Sequence, residues 1–189
     1  MTYIVGIGGP KGHGKNTLAE FLLQQTSGEK ARVFDMSAAL FTALYALDPY
    51  VTEDGKRVSE LRDELGGDEV ALKTVPEVRR VLQCLGTDVV RNMIDADAWV
   101  KATKRAIVEA NVEWAFLTGI RFPNELALAD ASVYIHRGEQ DTQDTHISER
   151  ALGVEDFDYE VANVNTLDDL RHAAAPLFRQ LHHRKAEKA

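Results

Sequence analysis

Short apolar runs alternate with longer segments of helical spacing along the chain. Five of the runs span five to seven residues and predict strands. They are TYIVGIG (2–8), ARVFD (31–35), EWAFLTG (113–119), SVYIHR (132–137) and YEVAN (159–163). Strands that alternate with helices predict an α/β fold, in which helices cover both faces of a parallel sheet.

The segments between these runs carry the apolar spacing of helices. They are NTLAEFLLQQ (16–25), SAALFTALYAL (37–47), VSELRDEL (58–65), VPEVRRVLQCLGTDVVRNM (75–93), DADAWVKATKRAIVEA (95–110), FPNELALADA (122–131) and TLDDLRHAAAPLFRQLHH (166–183). The second is expected to end at Asp48, because a residue before proline avoids the helical region. Pro176 is expected to kink or restart the last helix. We interpret residues 1–189 as one domain with a helical insertion at about 50–112.

The first strand leads into GPKGHGKNT, which holds three glycines and two lysines. Gly9-x-x-x-x-Gly14-Lys15 has the spacing of a phosphate-binding loop, and it lies between a strand and a helix as that loop must. The glycines let backbone N–H groups approach phosphate oxygens, and the positive end of the following helix favours the same anion. Asn16 stands where serine or threonine is usual, and Thr17 keeps a hydroxyl one residue later. The alternative is a glycine-rich turn with a surface lysine.

The same region also begins like a dinucleotide-binding fingerprint. Gly6 and Gly8 have its first spacing, and Asp35 lies at the end of the second strand. The third glycine of that fingerprint would fall at Lys11, where close packing of helix on strand needs glycine. The lysine therefore disfavours a dinucleotide site.

Composition narrows the choice of partners and compartment. The net charge of -8 argues against a general nucleic-acid binder, which needs a basic face. The single cysteine, Cys84, has no partner for an internal disulfide, which indicates a reducing compartment. No signal peptide is visible, and no apolar stretch approaches the ~20 residues of a membrane span. We therefore expect a cytoplasmic protein that binds neither nucleic acid nor membrane.

Arginines gather in one part of this acidic chain. Arg79, Arg80 and Arg91 fall within thirteen residues, and arginine is suited to bidentate contacts with phosphate. Arg79 and Gln83 are four apart on one helical face, so one can hold a phosphate while the other reads a base edge. The alternative is a solvated helix face with surface arginines.

Four motifs in this order resemble those of the phage-type deoxynucleoside monophosphate kinases, within the nucleoside monophosphate kinase group. They are GKNT (14–17), VRRVLQCLGTD (78–88), GIRFPNE (119–125) and DTHISE (144–149). The resemblance runs from about residue 3 to residue 170. It implies a P-loop NTPase-like fold, a helical acceptor-binding insertion and a lid. It also implies Mg²⁺-assisted transfer of phosphate from ATP to a deoxynucleoside monophosphate.

The resemblance also assigns roles to individual residues. The ATP-binding residues are Gly12, His13, Gly14, Lys15, Asn16 and Thr17. The acceptor-binding residues are Asp35, Arg79, Gln83, Thr87, Arg91, Trp99, Asn124 and Glu125. Lys15, Arg121 and Arg137 are the catalytic candidates. The segment 137–149 has few apolar residues and is expected to be a mobile lid that closes on bound nucleotides, or else a plain exposed connection.

Two positions depart from the family pattern. The family usually has an aspartate at the position of Gly119, and another after the second strand, where this chain has Ser37 and Ala38. Both changes remove carboxylates that could organise Mg²⁺, and Asp35 and Glu125 are the candidates to compensate.

Several alternatives stay open. These are a P-loop kinase for another small phosphorylated metabolite, a nucleotide-binding or hydrolysing switch, and a degenerate nucleotide-binding module. Against a switch, the chain has no Asn-Lys-x-Asp motif and no Asp-x-x-Gly after a strand. The sequence leaves open the preferred base and sugar, and a homodimer. The resemblance points to a phage-encoded protein that works in the host cytoplasm.

Overall fold

A computed structural model describes residues 1–138 and 151–188. Within them, five strands form one sheet, and each neighbouring pair is parallel. The strands are β1 (Tyr3–Gly8), β2 (Ala31–Asp35), β3 (Trp114–Ile120), β4 (Ala131–His136) and β5 (Tyr159–Ala162). Their order across the sheet is β2-β3-β1-β4-β5. The predicted α/β fold with a parallel sheet is confirmed.

The helices lie between the strands and after the last one. They are α1 (Lys15–Gln25), α2 (Ala38–Leu47), α3 (Val58–Glu64), α4 (Glu69–Leu72), α5 (Pro76–Gln83), α6 (Ala98–Ala110), α7 (Pro123–Leu126) and α8 (Leu167–Glu187). The chain divides into two compact units. Met1–Met36 and Thr103–Ala189 form a sheet unit, and Ser37–Ala102 forms a helical unit. In the described ranges, no helix is both long enough and apolar enough to cross a membrane.

The core of the sheet unit is built from the strands together with α1 and α8. Trp114 is fully buried, and its ring stacks on Phe116 and lies 5.0 Å from Phe178, between ring centroids. Burial of such large aromatic side chains contributes about 1.5–3 kcal/mol each. Apolar residues spaced three or four apart give α8 its buried face: Leu170, Ala174, Leu177, Phe178 and Leu181.

Of the two effects expected of Pro176, a kink or a restart of the last helix, the restart is wrong. The helix α8 continues from Leu167 to Glu187 with the proline inside it. A proline in a helix interior loses one backbone hydrogen bond and crowds the preceding turn. The buried apolar face on both sides of Pro176 offsets that cost and keeps the helix in one piece.

The helical unit has a core of its own. Its buried side chains come from α2, α3, α4, α5 and the loop after α2, and they are Phe41, Leu44, Val51, Val58, Leu72, Val78 and Leu82. The helix α2 ends as predicted, with Asp48 in the left-handed conformation (φ 44°). The Asp48 carboxylate accepts hydrogen bonds from the backbone and the hydroxyl of Ser59, which ties the end of α2 to α3.

The helix predicted over 75–93 changes type part of the way along. It is α-helical up to Gln83, and Cys84–Ile94 then forms a π-helix, called here the π segment. At its end the N–H of Asp95 donates to the carbonyl of Val90, five residues back, at 2.8 Å. Such a turn is wider than that of an α-helix and is frequent at functional sites.

Two contacts within the helical unit hold the π segment. Gly86 is buried, and a Cβ built on it would lie 3.1 Å from a methyl carbon of Leu40. The indole Nε1–H of Trp99 donates to the carbonyl oxygen of Gly86 at 2.9 Å. This bond gives the carbonyl a donor from outside the π segment, so its conformation depends on a residue beyond its own sequence.

Candidate active site

The strand order brings several predicted site residues to one edge of the sheet unit. Because all five strands are parallel, their carboxyl ends share this edge, where ligands bind in open α/β sheets. The phosphate-binding loop follows β1, which lies between β3 and β4. Arg121 follows β3 directly, and Arg137 follows β4 directly. One predicted catalytic arginine therefore follows the neighbouring strand on each side of the loop.

The loop leads into α1 in the way that anion binding requires. Gly14 is the N-cap of α1 and is left-handed, with φ 100°. The first turn of α1 holds no acidic residue, so nothing on the helix itself neutralises its positive end. The Lys15 ammonium donates to the carbonyls of Gly9 and Pro10, at 2.7 and 2.8 Å. A bound phosphate would compete with these two carbonyls for the ammonium group.

Asn163, at the end of β5, is a residue of this edge that the sequence reasoning missed. It is buried, and its side-chain Nδ2–H donates to the carbonyl of His13 at 3.0 Å. A Cβ at Gly14 would lie 2.6 Å from the same Nδ2, so only glycine fits there. The position of Asn163 at the end of the predicted strand YEVAN was the available signal, because polar residues at that edge of a sheet are candidates for a site.

His13 is the buried side chain of the loop, and it faces β4. It is 3% exposed, and its Nδ1 accepts a hydrogen bond from the backbone N–H of Arg137 at 3.0 Å. Burial lowers the pKa of His13, and the positive charges of Lys15 and Arg137 lower it further. The imidazole is therefore neutral near pH 7, with its hydrogen on Nε2.

The RFPNE motif forms a tight turn after β3. Glu125 is 5% exposed, and its Oε2 accepts hydrogen bonds from the backbone N–H groups of Arg121 and Phe122, at 2.8 and 3.3 Å. The carboxylate thereby caps the start of α7 and fixes the direction in which the chain leaves β3. Asn124 lies half-buried on the same short helix. Glu125 thus holds the backbone of Arg121.

Asp35 lies beside Gly119, the position at which the resemblance implies an aspartate. Gly119 has φ +77°, and a Cβ built on it would lie 3.0 Å from Oδ1 of Asp35. The carboxylate of Asp35 therefore reaches, from the end of β2, the space next to Gly119 on β3. Among residues 1–138 and 151–188, no three His, Cys, Asp or Glu side chains gather as a metal cage.

The predicted acceptor-binding residues of the helical unit form a regular row. Arg79, Gln83, Thr87 and Arg91 are spaced by four residues along α5 and the π segment, and all are half-buried. Four residues exceed one turn of an α-helix but fall short of one turn of a π-helix. Each step of four residues therefore turns the side-chain direction slightly past a full turn in α5 and slightly short of one in the π segment. The two rotations oppose each other, which keeps these side chains closer to one face.

The side chains in and around this row differ in the contacts that they make. Arg80 is exposed and pairs with Glu77 at 2.6 Å, which raises the pKa of the arginine and lowers that of the carboxyl. Trp99 supports the π segment through its bond to Gly86, and the Arg91 guanidinium donates to the carbonyl of Ala96 at 3.1 Å.

Most of the lid predicted at 137–149, including the DTHISE motif, lies outside the described residues.

Similarity to known proteins was found in sequence and in structure. A family model described as deoxynucleotide monophosphate kinase matches residues 52–173. Deoxynucleotide monophosphate kinases of Escherichia phage RB69 and Enterobacteria phage T4 are each 30% identical to this chain over 100 residues. These matches cover 49% of this chain and 41% and 42% of those proteins, so the chain spans less than half the length of the curated relatives it matches.

A solved structure of an APS kinase mutant from Mycobacterium tuberculosis aligns with a TM-score of 0.39 and 15% identity, and covers 94% of this chain and 97% of that one. The family match includes the acceptor row, the RFPNE motif and the segment after β4, whereas the phosphate-binding loop precedes it. The loop and the family match are therefore separate observations. By the family match over 52–173, the chain belongs to the deoxynucleotide monophosphate kinase family.

Proposed function

We propose that this protein transfers the γ-phosphoryl group of ATP to a deoxynucleoside monophosphate. The observation that carries the proposal is the family match over 52–173. A phosphate-binding loop outside that range, with the Gly9-x-x-x-x-Gly14-Lys15 spacing and an uncompensated helix end, supports it independently. In the reaction, an oxygen of the acceptor phosphate attacks the γ-phosphorus, the bond to the β–γ bridging oxygen breaks, and ADP leaves.

The residues of the sheet unit have roles that this chemistry requires. The backbone of 12–17 binds the ATP phosphates, and Lys15 leaves the carbonyls of Gly9 and Pro10 to contact them. Arg121 and Arg137 neutralise charge on the transferred group from the strands on either side of β1. Phosphoryl transfer depends mainly on positioning and on charge stabilisation, and backbone N–H groups, a lysine and two arginines are the types of group that provide both.

The residues at the sheet edge fit a magnesium ion that arrives with ATP. Mg²⁺ is held in such sites by one or two carboxylates together with phosphate oxygens and water, and it does not need a cage of protein ligands. Asp35, whose carboxylate lies beside Gly119, and the hydroxyl of Thr17 are the groups that would hold it. When bound, Mg²⁺ would neutralise negative charge on the phosphates. The carboxylate of Glu125, the other candidate, accepts hydrogen bonds from the backbone N–H groups of Arg121 and Phe122.

The row on α5 and the π segment is the proposed site for the acceptor. Arg79 and Arg91 bind its phosphate, while Gln83 and Thr87 contact the nucleoside through hydrogen bonds. The half-buried setting of all four supports this role, because charged and polar groups partly shielded from water form stronger contacts. We propose free nucleotides as partners and the cytoplasm of a phage-infected host as the location.

A coupled assay of ADP formation tests the proposal with ATP, Mg²⁺ and each deoxynucleoside monophosphate in turn. We expect turnover with at least one acceptor, and Lys15→Ala should lower it on the order of a hundredfold or more. Lys11→Ala is the matched control, because Lys11 is an exposed lysine of the same loop and should keep its turnover. ADP formed without any acceptor would instead indicate a hydrolase. Turnover confined to a different phosphorylated metabolite would also overturn the proposal.

A further inference from the structure

His13 joins the phosphate-binding loop to the ends of two strands that are distant in sequence. Its ring Nδ1 accepts from the N–H of Arg137, 124 residues away, at 3.0 Å. Its carbonyl accepts from Nδ2 of Asn163, 150 residues away, at 3.0 Å. Asn163 in turn donates its backbone N–H to the carbonyl of His136 at 2.7 Å. One residue in the middle of the loop is thus held by the carboxyl ends of both β4 and β5.

The direction of the hydrogen bond decides which form of the ring can serve. A backbone N–H is always a donor, so Nδ1 of His13 must carry a lone pair and the hydrogen must be on Nε2. The ring is buried, and its Nδ1 is engaged with β4 and is not available as a donor to a phosphate oxygen. Direct contact of a charged imidazolium with ATP is therefore not the role this geometry supports.

The charges around His13 favour the same neutral form. Lys15 at the start of α1 and Arg137 at the end of β4 are positive, and Asn163 at the end of β5 is neutral. His136 also faces this region, but its Nε2 lies 2.8 Å from a carboxylate oxygen of Glu160 and its Nδ1 accepts from the N–H of Gly138. The described neighbours of His13 thus supply positive or neutral groups, and with burial they lower its pKa.

We infer that His13 is a positioning residue, whose neutral ring fixes the phosphate-binding loop to the backbone of Arg137. The inference rests on the proposed kinase function. The loop holds the ATP phosphates in that proposal, and Arg137 supplies charge to the transferred group. One hydrogen bond then fixes the loop relative to the backbone of Arg137, and small errors in such positioning cost up to about a hundredfold in rate.

The link has a built-in dependence on pH. Protonation of His13 places a hydrogen on Nδ1, which then meets the N–H of Arg137 as donor against donor. The stabilisation from the bond is therefore present at neutral pH and is lost as pH falls through the lowered pKa of the folded state. Activity that depends on the link falls over the same range.

Two substitutions separate the acceptor from the rest of the side chain. His13→Asn keeps an acceptor, because its Oδ1 stands close to the position of Nδ1, but it does not titrate. His13→Ala removes the acceptor. His183→Ala is the control for loss of a histidine, because His183 is 78% exposed on α8, far along the chain from the loop.

The first measurement is independent of kinase activity, namely amide hydrogen exchange at Arg137 by NMR. Loss of a buried acceptor should raise the exchange rate in His13→Ala on the order of tenfold, and His13→Asn should restore protection. In the wild type, the same amide should lose protection as His13 titrates. An unchanged Arg137 exchange rate in His13→Ala, or full protection of that amide in protonated wild type, would overturn the inference.

The second measurement is kinetic and separates positioning from a merely structural role. We expect His13→Ala to lower kcat about tenfold to a hundredfold, with little change in KM for the monophosphate. His13→Asn should recover most of kcat and remove the fall in rate at acid pH. Normal kcat in His13→Ala, despite fast Arg137 exchange, would refute the positioning role.

Failure of the kinase proposal itself gives a different pattern. The wild type would then show no turnover with any deoxynucleoside monophosphate, while the exchange experiment would still report on the link. In that case, ATP affinity by calorimetry replaces kcat. An affinity equal in wild type and His13→Ala would then overturn the inference.

Discussion

Replacement of Gly119 by aspartate, the residue that the resemblance implies at this position, should destabilise this chain. Gly119 has φ +77°, a conformation that costs an L-residue about 1–2 kcal/mol, although Asn and Asp tolerate it best. A new side chain there would also begin 3.0 Å from the carboxylate of Asp35. Gly119→Asn has the same shape as Gly119→Asp without the charge, so the pair separates backbone strain from repulsion.

The repulsion can be estimated from the distance. Two carboxylates about 4 Å apart repel by about 4 kcal/mol at an effective dielectric constant of 20. Asp35 is half-exposed, and water and salt screen such a pair, so about 1–2 kcal/mol is the expected difference between the two variants.

Urea unfolding followed by circular dichroism measures both contributions. At pH 7, Gly119→Asn should lose about 1 kcal/mol relative to wild type, and Gly119→Asp about 1–2 kcal/mol more. Excess Mg²⁺ should recover part of the loss in Gly119→Asp and none in Gly119→Asn, because two adjacent carboxylates bind the ion. Equal stabilities of the two variants at pH 7 would show that Asp35 does not face this position, and the proposed role of Asp35 at the metal would lose its basis.

Three further outcomes are expected. Arg79→Ala should raise KM for the monophosphate about tenfold to a hundredfold and leave KM for ATP nearly unchanged. The control Arg80→Ala, which breaks an exposed ion pair, should change neither KM. Equal effects of Arg79→Ala on the two KM values would contradict the acceptor role. Trp99→Phe should cost about 1 kcal/mol in urea unfolding, because the carbonyl of Gly86 loses its indole donor, and an unchanged midpoint would mean that water replaces it. Amides of 137–149 should gain protection from hydrogen exchange when a bisubstrate analogue binds, and no change there would refute the lid.

The strands were predictable because their signal is local. Each run of apolar residues ends at a glycine, aspartate or other polar residue, and all five strands lie within two residues of the predicted bounds. The phosphate-binding loop was predictable for the same reason, since Gly9, Gly14 and Lys15 have a fixed spacing. A pattern of this kind needs no knowledge of what packs against it.

The π segment was not predictable, because distant contacts decide it. Nothing in CLGTDVVRNMI distinguishes a π-helix from an α-helix by apolar spacing. The change of type depends on the packing of Gly86 against Leu40 and on the indole of Trp99, which lies thirteen residues beyond that glycine. The same limit applies to α8, where burial of an apolar face outweighs the effect of Pro176.

The residues proposed to contact the substrates can be predicted from sequence more easily than the residues that support them. Lys15, Arg121 and Arg137 can be proposed from motifs. The hydrogen bonds that His13 and Asn163 make across the sheet edge become visible once the strands are paired. The carboxylate of Glu125 instead accepts from N–H groups three and four residues before it, which is a local capping contact. Family motifs assign His13 and Glu125 to ligand binding, which stays a prediction, and in the structure both side chains accept hydrogen bonds from backbone N–H groups.

The strand order explains why two arginines that are far apart in the sequence lie on either side of the loop. The chain passes from β1 to the far edge strand β2 and returns to place β3 in the gap, and it then crosses β1 to place β4 on the other side. Each of these parallel pairs fixes where the chain leaves its strand, so Arg121 and Arg137 are set beside the loop by backbone pairing. Loss of the His13 ring would remove the bond to the N–H of Arg137 but leave intact both that strand pairing and the bond from Asn163 to the carbonyl of His13. The proposed kinase would therefore keep its fold and its arginines, while the loop would be held less firmly against the backbone of Arg137.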